Sequence, residues 1–175
     1  MKELFHMFSI NFKIINSEFD DFCGQNGFLS LNFNDYQYGE IYSDALNDIM
    51  DKVSIYNWIE RLLKIFNVLY SKNHVFLSDV DSYNSWIYFE KKDFYLTVKI
   101  LRCEKKPNTK DIVFSLEEDS VEEDATQVVK WKDFSSQLLS KTDEYINYIC
   151  ANNSDSYKFK DLIELHQIAL NHLYM

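Results

Sequence analysis

Few residues in this chain have the types and spacing to do chemistry. Asp79 and Asp81 form a DxD in a polar stretch, Asp79-Val80-Asp81-Ser82-Tyr83-Asn84. Two carboxylates at that spacing can touch a hard cation, but no further carboxylate or histidine stands nearby at ligand spacing. The pair reads instead as a turn in which Asp side chains bond backbone amides. His166 and His172 are six residues apart, so they share a helix face poorly and make a weak metal pair. Cys23, Cys103 and Cys150 form no CxxC, and none is joined to a histidine by a recognisable nucleophile motif. With three glycines in the chain there is no Gly-rich phosphate loop, and GxSxG and HExxH are absent. No catalytic residue, metal ligand or cofactor site is expected.

The element that organises the rest is an amphipathic helix beginning after Ser54, whose hydroxyl is placed to accept from a first-turn amide. Ile55, Trp58, Ile59, Leu62, Leu63, Phe66, Leu69 and Tyr70 recur at helical spacing, and Glu60, Arg61, Lys64 and Asn67 fall on the other side. Strand patterns at 74–78, 85–90 and 93–101 come next and are its expected packing partner. In the last of these Phe94, Leu96, Val98 and Ile100 alternate with Tyr95, Thr97 and Lys99, after a hairpin signal at Lys91-Lys92-Asp93. Upstream, residues 4–15 alternate as a half-buried strand, with His6 on the apolar face as a core or edge histidine. Leu29, Leu31 and Phe33 make a second strand, and Asn34-Asp35 a turn into Tyr36, Tyr38 and Ile41. The stretch from Asp44 to Lys52 is a short helix or a packed loop.

Downstream, Glu104–Asn108 reads as a solvent loop. Ile112, Phe114 and Leu116 form a strand, and Glu117, Glu118, Asp119, Glu122, Glu123 and Asp124 a solvated acidic loop. Asp133 is placed to cap a helix striped by Phe134, Leu138, Leu139, Tyr145, Ile146 and Ile149. A last helix over about 160–174 aligns Leu162, Leu165, His166, Ala169 and Leu173. The chain therefore reads as a single α+β domain over 1–175, with no internal repeat. A mainly antiparallel sheet is packed by the central helix and two C-terminal helices.

The totals bear on partners. The 175 residues carry 28 acids and 18 bases, a formal net charge of −10, and 17% of them are aromatic. Such a surface repels phosphates, so direct nucleic-acid binding is not expected, while a basic protein is attracted and its encounter accelerated. The odd, dispersed cysteines suggest reduced thiols. The first residues lack an apolar run of signal-peptide length and no segment reaches the ~20 apolar residues of a membrane span, so a cytoplasmic location is expected.

Two segments carry a family likeness: Asp48–Leu63 (DIMDKVSIYNWIERLL) and Val75–Glu90 (VFLSDVDSYNSWIYFE). Together they resemble the immunity proteins of bacterial polymorphic toxin systems, including contact-dependent growth inhibition. The resemblance covers a minor part of the chain and carries over no binding residue by position. It implies a cytoplasmic protein that binds the C-terminal domain of a cognate toxin, often a basic nuclease, and covers its active site or substrate surface. From charge and ring chemistry, Glu117, Glu118, Asp119, Glu122, Glu123 and Asp124 are the candidate steering patch. Tyr36, Tyr38, Tyr83 and Trp86 are the candidate aromatic anchors. Two other classes stay open: an adaptor or regulatory module using the same faces, and an enzyme whose site is assembled from scattered residues in a deep pocket.

Overall fold

The computed structural model describes residues 7–116 and 120–173. Three strands open the chain: β1 (Phe8–Ile14), β2 (Asn26–Phe33) and β3 (Tyr36–Gly39). They pair antiparallel in that order, and the short β4 (Val53–Ser54) adds to the start of β2. The β2–β3 turn needs a left-handed residue, and Asn34 supplies it at φ 56°. Gly27 has no room for a side chain, since a Cβ there would lie 2.1 Å from the Lys13 carbonyl oxygen. Between β3 and β4 the chain makes one 3-10 turn at Asp44–Leu46, more loop than helix.

Helix α1 (Ile55–Val68) starts as its capping residue dictates: the Ser54 hydroxyl accepts from Asn57 N–H at 3.3 Å. Its apolar stripe is buried from Ile55 to Leu69, with Tyr70 past the helix end and half-buried, and its surroundings are wider than the following sheet. It packs most extensively on the C-terminal helix, and also on β2 and on β5 (His74–Ser78). Arg61, expected on the solvent side, is 8% exposed, with its Nε held by Asp111.

The second sheet has the order β8-β5-β6-β7-β9, all neighbours antiparallel. Here β6 is Ser85–Lys92, β7 Tyr95–Arg102, β8 Ile112–Val113 and β9 Glu122–Lys130. Asp93 takes the left-handed conformation (φ 53°) in the β6–β7 turn. Phe94 belongs to that turn and is 82% exposed, so it does not join the strand's apolar face. The expected strand through Ile112, Phe114 and Leu116 ends after Val113, and Phe114 points outward.

The acidic run and the helix after it also depart from expectation. Glu122–Asp124 are not loop: they open β9, the edge strand beside β7. The strand then runs straight into α2 (Trp131–Asn152), which starts two residues before Asp133. Lys130 stands at the N-cap without a side-chain bond, and Trp131 N–H is tied to the Phe94 carbonyl at 2.8 Å. Sheet pairing sets this helix start; Asp133 lies inside the first turn, where its charge still favours the helix dipole. A 3-10 turn (Ser156–Phe159) leads to α3 (Lys160–Leu173), in which Leu162, His166 and Ala169 are buried and Leu173 is half exposed.

The fold is α+β with two antiparallel sheets and three helices. One buried cluster joins them, from Phe8 and Leu31 through Ile59 and Phe66 to Val98, Phe134 and Leu162. Trp86, Leu101 and Cys103 form a small second cluster on the opposite face of the second sheet. No helix among the described residues is long and apolar enough to cross a membrane. His6 lies outside the described residues.

Candidate partner-binding surface

The β5–β6 connection, residues 79–84, is the part of the second sheet most heavily fastened by side chains. The Asp79 carboxylate accepts from the Tyr38 hydroxyl and, at 2.9 Å, from Asp81 N–H. That second bond is the Asx-type turn the DxD spacing implies. The Asp81 carboxylate in turn accepts from the Trp58 indole N–H at 3.4 Å. From the neighbouring loop, the Lys105 ammonium donates to the carbonyls of Asp79 and Ser82 and stands 5.6 Å from the Trp86 ring centre. Arg61 on α1 completes the set, its Nε 3.0 Å from an Asp111 oxygen, while Asp111 C=O accepts from Ser78 N–H at 2.8 Å.

Three carboxylates and two cations thus meet around one loop, Asp79 and Arg61 buried and Asp81 and Asp111 partly in water. Desolvation raises the Asp81 carboxyl above its ordinary range, and the neighbouring Asp79 charge adds to this. The same desolvation lowers the Lys105 ammonium, with Asp79, Asp111 and Asp81 pulling the other way. Burial and then Asp79 push the Tyr38 phenol up, so it stays a hydrogen-bond donor at any physiological pH. The Arg61 Nη1 is buried without a partner, the one loose end of the network. No group of three or more His, Cys, Asp or Glu among the described residues is placed to hold a metal ion. The network's chemistry is that of a clamp: it holds a loop.

What the clamp presents is Tyr83, 81% exposed, with Val80 beside it at 45%. Tyr83 lines a shallow depression of about 300 Å³ together with Asn84, Arg102, Cys103, Glu104, Ser120 and Glu122. The strand opening the acidic run therefore reaches the same place as the tyrosine loop. Glu122 and Glu104 are exposed there. Glu123 is spent on Lys99, 2.8 Å away, and Asp124 on Arg102. Asp124 is the extra residue of a β-bulge, since Ala125 pairs with Ile100 and Glu123 with Leu101. Its charge also reaches Tyr36, whose phenol is raised first by burial and then by Asp124.

Six of the sequence-derived candidates, Tyr36, Tyr38, Tyr83, Glu122, Glu123 and Asp124, thus gather at one end of the molecule. Their roles divide. Tyr83 and Glu122 face solvent, Tyr36 is half-buried, and Tyr38 is committed to Asp79. Trp86 is not at the surface: it is 3% exposed and its indole N–H donates to the Cys103 carbonyl at 3.0 Å. Glu117, Glu118 and Asp119 lie outside the described residues. Lys105 was hidden in what reads as a plain solvent loop. One of two adjacent lysines after Glu104, it carries no sequence signal that its ammonium will cap two carbonyls. Comparison with known protein families, curated proteins and solved structures gives no match for this chain.

Proposed function

We propose that this chain is an immunity protein, which binds the C-terminal domain of a cognate bacterial toxin in the cytoplasm and neutralises it by charge-complementary contact. The observation that carries the reading is the clamped loop. Tyr83 is presented on a backbone already fixed by Lys105, Asp79 and Tyr38, next to the exposed carboxylates of Glu122 and Glu104. A rigid aromatic anchor loses little conformational freedom when it docks, and tyrosine is among the residues enriched at binding hot spots. A basic toxin surface, such as a nuclease uses to hold phosphates, is the complement of this end and of the net charge of −10. The likeness of Asp48–Leu63 and Val75–Glu90 to toxin immunity proteins points the same way.

The test starts from the reading frame immediately upstream: if it encodes a large secreted protein with a variable C-terminal domain, that domain is co-expressed with this chain and scored for growth rescue and for a complex on gel filtration. Rescue with a stable complex is expected. Tyr83→Ala should weaken the complex by roughly tenfold or more if Tyr83 is the anchor. Glu122→Lys should slow association and lessen its salt dependence. Unrescued growth with no complex would remove the immunity reading.

A further inference from the structure

Two loops meet at one end of the first sheet. Residues 15–25 join β1 to β2, and residues 40–52 join β3 to β4. Both close at the start of β2: Ile15 N–H donates to the Asn26 carbonyl at 3.0 Å, and Val53 lies across from Gly27. Lys13, near the end of β1, holds the second loop down. Its ammonium donates to the Tyr42 carbonyl at 2.9 Å and to the Asn47 side chain at 2.8 Å.

The first loop has no helix or strand, and side chains fix it instead. The Asp20 carboxylate accepts from Ser17 N–H at 3.0 Å and from the Asn26 side-chain amide at 2.8 Å. Asn153 of α2 accepts from Cys23 N–H and donates to the Cys23 carbonyl, both at 2.9 Å. The Tyr145 hydroxyl donates to the Gly24 carbonyl at 2.9 Å. The loop's two phenylalanines part company. Phe22 packs on the Tyr56 and Phe159 rings, with centres 5.5 and 5.0 Å away. Phe19 is 88% exposed, more than any other large apolar side chain among the described residues, and Ile49 on the second loop is 73% exposed.

The net charge of the chain is concentrated here. Between Lys13 and Lys52 stand 38 residues without a lysine, arginine or histidine, and they carry eight of the 28 acids. The rest of the chain holds 20 acids against 18 bases and is close to neutral. All of the eight but Asp35 lie on the two loops. Asp20 is spent on the loop itself and Asp44 on Lys13, 2.7 Å away, while Glu18, Asp21, Asp48 and Asp51 are exposed. Lys52 and Lys158 are the other cations alongside, and Lys158 has Asp155 and Asp161 on its own stretch. At the β9 edge, by contrast, Lys99 and Arg102 answer Glu123 and Asp124.

We propose that this end of the first sheet docks a basic segment of a partner protein. Phe19 is seated among that segment's apolar side chains, and its lysines or arginines meet the flanking acids. A ring on a fixed loop loses little freedom on docking and gives the contact an apolar centre within a charged rim. The same acids repel nucleic acid and anionic lipid. The surface is separate from the Tyr83 loop, and the proposal does not rest on the immunity reading.

The experiment titrates a short amphipathic peptide of leucine and lysine into the isotope-labelled full chain and follows the backbone amides by NMR. Polylysine of equal charge and a leucine–glutamate analogue serve as comparisons. Amide shifts should concentrate on residues 16–21 and 44–51, and both comparison peptides should bind more weakly. Phe19→Ser should weaken binding by roughly fivefold or more with the salt dependence kept, since the apolar contact is uncharged. Glu18→Lys with Asp48→Lys should weaken it by roughly tenfold or more and lessen the salt dependence. All three positions are exposed, and an unchanged unfolding midpoint checks that the variants fold. No binding, shifts centred on residues 79–84 and β9, or binding indifferent to Phe19→Ser overturns the proposal. So does polylysine or the glutamate analogue binding as tightly as the leucine–lysine peptide.

Discussion

One end of the second sheet holds two sets of carboxylates that have little in common beyond their charge. Asp79, Asp81 and Asp111 are engaged by Tyr38, Trp58, Arg61 and backbone amides, with Lys105 bracing the loop they hold. Glu122, Glu123 and Asp124 line the outer edge of β9, and there Glu123 meets Lys99 and the Thr126 hydroxyl and Asp124 meets Arg102, none of them buried. A carboxylate's contribution is set by what it faces. A buried one with partners is costly to remove because its donors are left stranded, while an exposed one is backed by water. Asp79 is the buried member of the first set and serves the fold; Asp81 and Asp111 keep surface in water but are committed to Trp58 and Arg61, which leaves Glu122 to meet a partner.

The hardest test of that division is Asp79→Ala. It strands the Tyr38 hydroxyl and the Asp81 amide beneath the loop, and should cost about 2–4 kcal/mol in urea unfolding. Glu122→Ala should leave the unfolding midpoint where it was. Comparable losses from the two substitutions would erase the distinction. Next in size is Lys105→Met, which keeps the stem over Trp86 but removes the ammonium from two carbonyls. About 1 kcal/mol is expected, with faster amide hydrogen exchange over residues 79–85.

The two sets also differ in how far they could be read from the chain. The DxD was legible as a turn because its spacing has a local mechanism, one Asp bonding the amide two residues on. The α1 helix and the Asn34 and Asp93 hairpins were legible for the same reason, since periodicity and turn chemistry are local. β9 was not. Acids are poor strand formers, and every residue of 122–124 is exposed, so no alternation of buried and open positions is written there. Its strand state comes from β7, which lies some twenty residues earlier. Trp86 misled in the opposite sense: a tryptophan beside a polar loop reads as an anchor, and only the Cys103 carbonyl and the covering 104–116 segment put it inside.

A pH test separates the sets by sign. The Asp81 carboxyl is raised above 3.8 in the folded chain, by desolvation first and the Asp79 charge second. Between the unfolded and folded values the native state binds more protons, so this group's stabilising contribution is lost as pH rises through that window. Asp81→Asn should raise the unfolding midpoint at pH ~7 and flatten the dependence just above pH ~4. Glu123 runs the other way: Lys99 and Thr126 bond its carboxylate and lower it, so its contribution is present at neutral pH and lost on acidification. His166 adds a separate limb. Burial lowers its imidazole below 6.5, so stability falls as pH drops beneath that value, and His166→Leu should remove that limb.

The smallest effect on stability belongs to Lys99→Ala, and it is the most informative about function. The Lys99–Glu123 pair sits on an open sheet face, with 36% and 45% of the two side chains exposed, and exposed pairs seldom contribute measurably to folding. The unfolding midpoint should stay within experimental scatter. Removing the lysine nevertheless frees the Glu123 carboxylate beside Glu122 and takes one positive charge from the acidic end. Association with a basic partner should therefore quicken, and the gain should vanish at high salt. A destabilised variant would place β9 with the clamped loop as a structural element. An unchanged on-rate would show that the partner is not steered across this edge.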